Sequence, residues 1–135
     1  MAVYQSDKQF YTTMQQLFER MRLQEPNPID QLAVNKLMVV LRFTEPTATI
    51  LVNGRKSPVS IQYGPSSSPI LPDIDAQLSA DVLHAILMQK ISLKHALLVR
   101  KMKVSGMLWK TNSLGAILDH GRLLYPGILH DIGIN

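Results

Sequence analysis

Hydrophobic periodicity along the chain switches several times between about 3.6 and 2, and each switch marks a boundary between elements. In residues 7–22, Phe10, Met14, Leu17, Phe18 and Met21 recur at i, i+4, i+7, i+8 and i+11, which predicts an amphipathic helix capped by Ser6. Glu25-Pro26-Asn27-Pro28 ends it, because a residue before proline is pushed out of the α region. Asn27 then caps a second helix to about Lys36, with Ile29, Leu32 and Ala33 inward. Leu37–Thr44 and Ala48–Val52 are apolar and β-branched enough for strands, joined by a turn at Glu45-Pro46-Thr47. Asn53-Gly54 predicts a tight hairpin leading straight into a third strand, Lys56–Tyr63, with a free edge near Pro58. These three strands form an antiparallel meander. The loop Gly64–Pro72 is long enough to be a flap or a crossover.

The stretch that organises the rest runs from Asp73 to Gly106. Ile74, Ala76 and Leu78 alternate with Asp73, Asp75 and Gln77, as on a strand with one dry and one wet face. At Ser79, a good N-cap, the pattern becomes helical, with Val82, Leu83, Ile86 and Leu87 as an apolar stripe. Ser92 caps a second short helix carrying Leu93, Ala96 and Leu97. A strand follows from Lys101 to Gly106 and on towards Trp109, with Met102 and Val104 alternating against Lys101, Lys103 and Ser105. Asn112 or Ser113 caps a C-terminal helix with Leu114, Ile117 and Leu118 inward. Gly121 and Pro126-Gly127 interrupt it, leaving Ile128, Leu129 and Ile132 as a short apolar end piece. The pattern implies an α+β fold in one domain spanning 1–135: an antiparallel-rich five-stranded sheet with helices packed on one face, enclosing an apolar cavity.

Composition narrows the function classes. With 46% hydrophobic and 18% charged residues, the chain is apolar for a water-exposed domain. It has no cysteine, so disulfide and thiolate chemistry are excluded. No stretch approaches the ~18 apolar residues of a membrane span, and Met1–Phe10 lacks the pattern of a signal peptide, so the chain reads as cytoplasmic. The net charge of +4 is uneven. Between Val82 and Leu118 stand Lys90, Lys94, Arg100, Lys101, Lys103 and Lys110, with no acid. Such a run suits transient contact with an anionic membrane surface better than nucleic acid; a solvated face is its plain reading.

The segments IDAQLSADVLHAILMQK and ISLKHALLVRKMKVSG resemble the sterol carrier protein type 2 family of lipid-binding domains. That family shows a strand, a helix with paired aliphatics, a helix of leucine, small spacer and alanine, and a strand of glycine-lysine, apolar, lysine, apolar, glycine. Leu93, Ala96, Lys101, Met102, Lys103, Val104 and Gly106 stand at those places. Arg100 stands where the family usually has glycine before the lysine, and Gln89 where a glycine often ends the first helix. The hairpin and N-terminal helices also fit, so the resemblance covers most of the chain. It implies a hydrophobic tunnel between sheet and helices that takes a fatty acyl chain, a sterol or an isoprenoid quinone, without catalysis and without a cofactor. It also implies roles as carrier, as enzyme appendage, or as accessory module docking on a lipid-metabolising partner enzyme. On the facing read from the pattern, Val40, Leu51, Leu78, Leu83, Ile86, Leu87, Leu97, Met102, Val104, Met107, Trp109 and Leu118 line that space.

The polar residues offer little competing chemistry. His84, His95, His120 and His130 have no ligand spacing with a third donor, and read as solvent-facing or helix-rim histidines rather than metal ligands. Asp73 and Asp75 share the wet face of their strand, where an acid–base pair would need a closed site. The serines in Gly64-Pro65-Ser66-Ser67-Ser68 lack the strand–turn–helix setting and the lysine of a phosphate loop. Met38, Met88, Met102 and Met107 fall in or near interior segments, where methionine fills irregular space or adapts to varied apolar guests. Trp109 and Tyr125 suit either the core or a pocket mouth. The last helix is placed to act as a hinged lid, or as an ordinary docked terminal helix.

Overall fold

The structure is a computed structural model that describes residues 3–24, 29–30, 34, 36–56, 58–64, 71–106 and 111–133, without the side chains of 111–114. Its elements run α1 (Asp7–Arg22), β1 (Met38–Thr44), β2 (Ala48–Asn53), β3 (Ser60–Tyr63), β4 (Ile74–Ser79), α2 (Ala80–Leu87), α3 (Leu93–Leu98), β5 (Met102–Gly106) and α4 (Thr111–Ile132). The strands form one sheet in the order β3-β2-β1-β4-β5. β1 and β4 are parallel, and every other pairing is antiparallel. This is the expected α+β architecture with an antiparallel-rich sheet.

Strand register sorts the side chains into two faces. Ala48, Phe43, Leu78 and Met102 align across four strands; so do Ile50, Leu41, Ala76 and Val104, and then Val52, Val39, Ile74 and Gly106. Because side chains alternate along a strand, these rows form one apolar face. They join the buried stripes of α1, α2 and α4 in the main core. α1 contributes Phe10, Met14, Leu17, Phe18 and Met21, and Ser6 caps it by accepting the Gln9 N–H. Each such fully enclosed side chain contributes roughly 1.5–3 kcal/mol relative to exposure. On the other face lie Arg42, Asp75, Gln77 and Lys103, with a small buried cluster of Met38, Val40 and Leu51.

The predicted caps of the central segment form: Ser79 accepts the Val82 N–H at 3.1 Å and Ser92 the His95 N–H at 3.0 Å. Both helices close with the same device. Gln89 N–H reaches the Ile86 carbonyl and Lys90 N–H the Ala85 carbonyl; Arg100 and Lys101 repeat this towards Leu97 and Ala96. That double bond to the last turn is a Schellman closure, which needs a left-handed residue after the cap. Gln89 (φ 61°) and Arg100 (φ 60°) adopt that conformation although neither is glycine. Gly106 (φ 102°) ends β5 against β4, and a Cβ there would lie 2.1 Å from the Asp73 carbonyl oxygen.

Three expectations are corrected. Asn53-Gly54 does not make a two-residue hairpin: Asn53 pairs with Ser60, and β3 begins at Ser60 rather than Lys56. The Asn53 side chain accepts the Arg55 N–H and Gly54 N–H is held by the Leu37 carbonyl, so the chain leaves the sheet before returning past Pro58, which has no ladder donor. The last helix is not interrupted: α4 runs through Gly121, Pro126 and Gly127. Proline removes one intrahelical bond there, but Tyr125, Ile128 and Leu129 are buried beside it, and their packing outweighs the lost bond. The interiors expected of Met38 and Met88 also differ, since Met38 sits on the other sheet face and Met88 is exposed. Of the expected helix before Lys36, Ile29 is buried; Leu32, Ala33 and the Asn27 cap lie outside the described residues.

Substitution should separate these backbone constraints. Gly106→Ala is expected to cost about 1–3 kcal/mol, because a left-handed residue must also avoid a carbonyl. Arg100→Gly is expected to add about 0.5–1 kcal/mol by relieving the same conformation. Urea denaturation of both variants reads the two opposite signs.

Candidate functional site

Between the sheet and the helices lies an apolar slot of about 40 Å³. α1 lines it with Met14, Leu17, Phe18 and Met21, the sheet with Val39, Leu41 and Val52, α2 with Leu83 and Leu87, and α4 with Ile117, Leu118 and Gly121. No lining side chain carries a polar group. Gly121 faces both other helices closely: a Cβ there would lie 3.1 Å from Leu87 Cδ2 and 3.9 Å from Leu17 Cδ2. The volume is about a tenth of the ~300–1,000 Å³ typical of ligand pockets. The expected tunnel is therefore not an open channel in this state. A lipid chain does not fit this space without separation of the elements that wall it.

One helical turn along α4 from Gly121, outside the slot's lining, stands a polar chain that spacing alone did not reveal. Tyr4 Oη lies 2.5 Å from Tyr125 Oη, which lies 2.7 Å from His84 Nδ1. Tyr125 is fully buried and Tyr4 nearly so. Their environment resists charge. Burial pushes the Tyr4 phenol up to about 12, against the hydrogen bond from Tyr125, with Asp81 adding to the rise. Tyr125 is driven higher still, by burial first and then by Tyr4 and Asp81. Burial pulls His84 below its ordinary value, aided by Lys90 and opposed by Asp81. So His84 is not a free rim histidine as expected. It is paired across α2 and α4, and only the tertiary fold brings residues 4, 84 and 125 together.

The residues proposed from sequence divide into five groups. Leu83, Leu87 and Leu118 line the slot. Leu78, Ile86 and Met102 are buried in the main core, and Val104 packs against it from a half-buried position. Leu97 faces an open groove of about 650 Å³ between α3 and α4, with Leu93, Lys94, Leu98, Gly115, Ala116 and Asp119. Val40 and Leu51 are on the opposite face of the sheet, a correction of one residue in facing: Val39, Leu41, Ile50 and Val52 turn inward instead. Met107 and Trp109 lie outside the described residues, as does Lys110 of the basic run.

The charged surface also differs from a simple run. Arg42, Arg100, Lys101 and Lys103 surround a groove of about 340 Å³ at the ends of β1 and β4 beside β5. Arg42 is held by both oxygens of Asp75 at 3.1 Å, and Arg55 by Asp73 at 3.2 Å. Asp73 also accepts the Met38 N–H, at 2.8 Å, so these acids are structural partners of the sheet. Among the described residues, Arg100, Lys101 and Lys103 form no ion pair, and no three His, Asp or Glu side chains could hold a metal. No described helix is long and apolar enough to cross a membrane.

The fold is that of sterol carrier protein 2 domains. The chain is similar to sterol carrier protein 2 from Yarrowia lipolytica, with 14% identity and a TM-score of 0.61, over 84% of this chain and 89% of that one. It is similar to sterol carrier protein domain 2 of Helicoverpa armigera, with 15% identity and a TM-score of 0.66, over 84% and 88%. It is also similar to the UbiJ-SCP2 ubiquinone synthesis protein, with 12% identity and a TM-score of 0.55, over 84% and 89%. No family model matches the sequence, and no curated protein matches it.

The polar chain yields a pH test. His84 is held below its unfolded value of 6.5, so the folded state takes up its proton less readily. Its contribution to stability is present in full above that value and is lost as pH falls below it. Denaturation midpoints measured from pH 8 down to about pH 5 should fall more steeply for the wild type than for His84→Asn, whose amide oxygen stays neutral. Equal slopes would show that His84 carries no such linkage.

Proposed function

We propose that the protein is a non-catalytic, cytoplasmic carrier, folded as one domain, that binds a hydrophobic lipid between its sheet and its helices. The observation that carries this reading is the slot itself: a wholly apolar space, walled by three helices and the sheet, in a fold shared with sterol carrier protein 2 domains. Leu83, Leu87 and Leu118 would meet the ligand first. Leu78, Ile86, Met102 and Val104 would follow as the space widens. Burial supplies most of the affinity, at ~0.8 kcal/mol per methylene. The small closed volume argues for a carrier that opens to load rather than one permanently open. An acyl chain, a sterol and an isoprenoid quinone all fit this chemistry. Arg100, Lys101 and Lys103, joined by Arg42, would give the domain a weak, salt-sensitive hold on anionic membranes during exchange. Lys90, Lys94 and Lys110 of the same run would add to the local positive field.

A second reading has its own observation. The open groove between α3 and α4, with Leu98 71% exposed beside it, suits an accessory module that docks on a lipid-metabolising partner enzyme. A pull-down returning one stable enzyme, with no lipid in the organic extract, would favour it.

Native mass spectrometry with lipid extraction tests the carrier reading. One co-purifying lipid per chain is the expected result; an empty protein that also takes up no fluorescent acyl probe would sink it. Gly121→Leu places a side chain into the slot against Leu87. It should lower probe affinity at least about tenfold, since displacing two methylenes exceeds the 1.4 kcal/mol of one decade. Circular dichroism should show the variant folded.

A further inference from the structure

We propose that the Tyr4–Tyr125–His84 chain is a polar anchor at one end of the apolar slot, and that it selects lipids with an uncharged oxygen head, an alcohol, a phenol or a quinone carbonyl, over lipids that carry a charge. The inference rests on the carrier reading and adds the class of ligand.

Position is the first reason. Residues four apart on a helix are neighbours, about 5–6 Å between Cβ atoms. On α4, Tyr125 is one turn beyond Gly121, which lines the slot. On α2, His84 stands between Leu83 and Leu87, both of which line it. Tyr4 packs edge-on against Phe10 at 5.0 Å between ring centres, and Phe10 is one turn before Met14 on α1. Three helices thus carry the apolar wall, and next to it on each comes a member of the polar chain or its ring partner.

Hydrogen-bond capacity is the second reason. The chain can run in two directions without any charged form. When Tyr4 donates to Tyr125 and Tyr125 donates to His84 Nδ1, the Tyr4 oxygen keeps lone pairs that can accept a ligand hydroxyl. When His84 takes its other tautomer, Nδ1–H donates to Tyr125, Tyr125 donates to Tyr4, and the Tyr4 hydroxyl is left to donate to a ligand carbonyl. One set of side chains therefore serves both an alcohol and a ketone or quinone.

Charge is the third reason. Asp81, whose carboxylate accepts the Val3 N–H at 2.9 Å, stands close enough to oppose a second negative charge. The nearby Arg122 is already committed to the Ile86 carbonyl at 3.2 Å and to Asp119 at 2.9 Å. A carboxylate buried here would face Asp81, with Lys90 the cation felt at His84 but not hydrogen-bonded to the chain, and a cationic head would meet the same desolvation. The upward shift of Tyr4 and the downward shift of His84 agree with a site that keeps its groups neutral.

The test uses the full chain and three ligands of one length, hexadecanol, palmitate and hexadecane, competing at neutral pH against a bound fluorescent acyl probe. In the wild type, hexadecanol should bind about 2- to 10-fold more tightly than hexadecane, the range of one net hydrogen bond, and more tightly than palmitate. In Tyr125→Phe the ratio of hexadecanol to hexadecane affinity should fall to about one, whatever the change in hexadecane affinity itself. Tyr4→Phe should give the same result, and carries the test if Tyr125→Phe fails to fold. Palmitate binding as tightly as hexadecanol would overturn the proposal. So would an equal loss for all three ligands in the variants, which would mark the chain as a structural clasp alone. Failure of every ligand to bind the wild type would overturn the carrier reading with it, whereas hexadecane binding without discrimination would overturn the anchor only.

Discussion

A single buried hydroxyl, that of Tyr125, meets both the N-terminal segment through Tyr4 and α2 through His84. Buried polar groups must find partners or cost on the order of 1–3 kcal/mol, so this contact specifies where α4 lies. The aliphatic stripe of α4 could slide along an apolar wall with little penalty, because hydrophobic contact has no direction. The hydroxyl cannot. The ion pair between Arg20 and Asp131 also links α1 to α4, at 2.7 Å, but it is exposed and contributes little. The geometry of the slot follows from where Tyr125 is pinned.

That constraint gives the slot its closed state and its route to an open one. Gly121 lets α4 approach α1 and α2 within van der Waals contact, which squeezes the space to about 40 Å³. Moving α4 away would expose Ile117 and Leu118 and would strain the tyrosine contact one turn on. On the proposed carrier reading, a lipid would offset that loss by supplying the apolar surface that α4 gives up, and it would shift the balance by as much as it prefers the open form.

Electrostatics divides the protein by face. Asp75 pairs with Arg42 across β4 and β1, and Asp73, just before β4, pairs with Arg55 in the turn after β2, so these acids are structural partners of the sheet. The positive charge left over gathers at one end, around Arg100, Lys101 and Lys103. Near the slot the arrangement differs: the polar atoms of Tyr4, Tyr125 and His84 satisfy one another, with Asp81 and Lys90 acting on them from outside the chain.

Much of this was legible in the residues. Alternation in Ile74–Leu78 and Met102–Val104, the stripe of α1, and the caps Ser79 and Ser92 each depend on neighbours within a few positions, so local sequence determined them. Facing in β1 and β2 was read one residue out, because Val39-Val40-Leu41 and Ile50-Leu51-Val52 are apolar at every position and offer no alternation to read. Pro126 marked a break that packing overrode, and Gln89 and Arg100 hold a glycine's conformation because the chain must turn there, from α2 into α3 and from α3 into β5. Last, the partnership of Tyr4, His84 and Tyr125 spans 121 residues from first to last. No periodicity records such a contact, since it forms only when separate elements are packed together. The sequence by itself determined the layers and the oiliness between them; tertiary structure alone decided how narrow that space is and which distant polar atoms meet, because both depend on how separate elements pack.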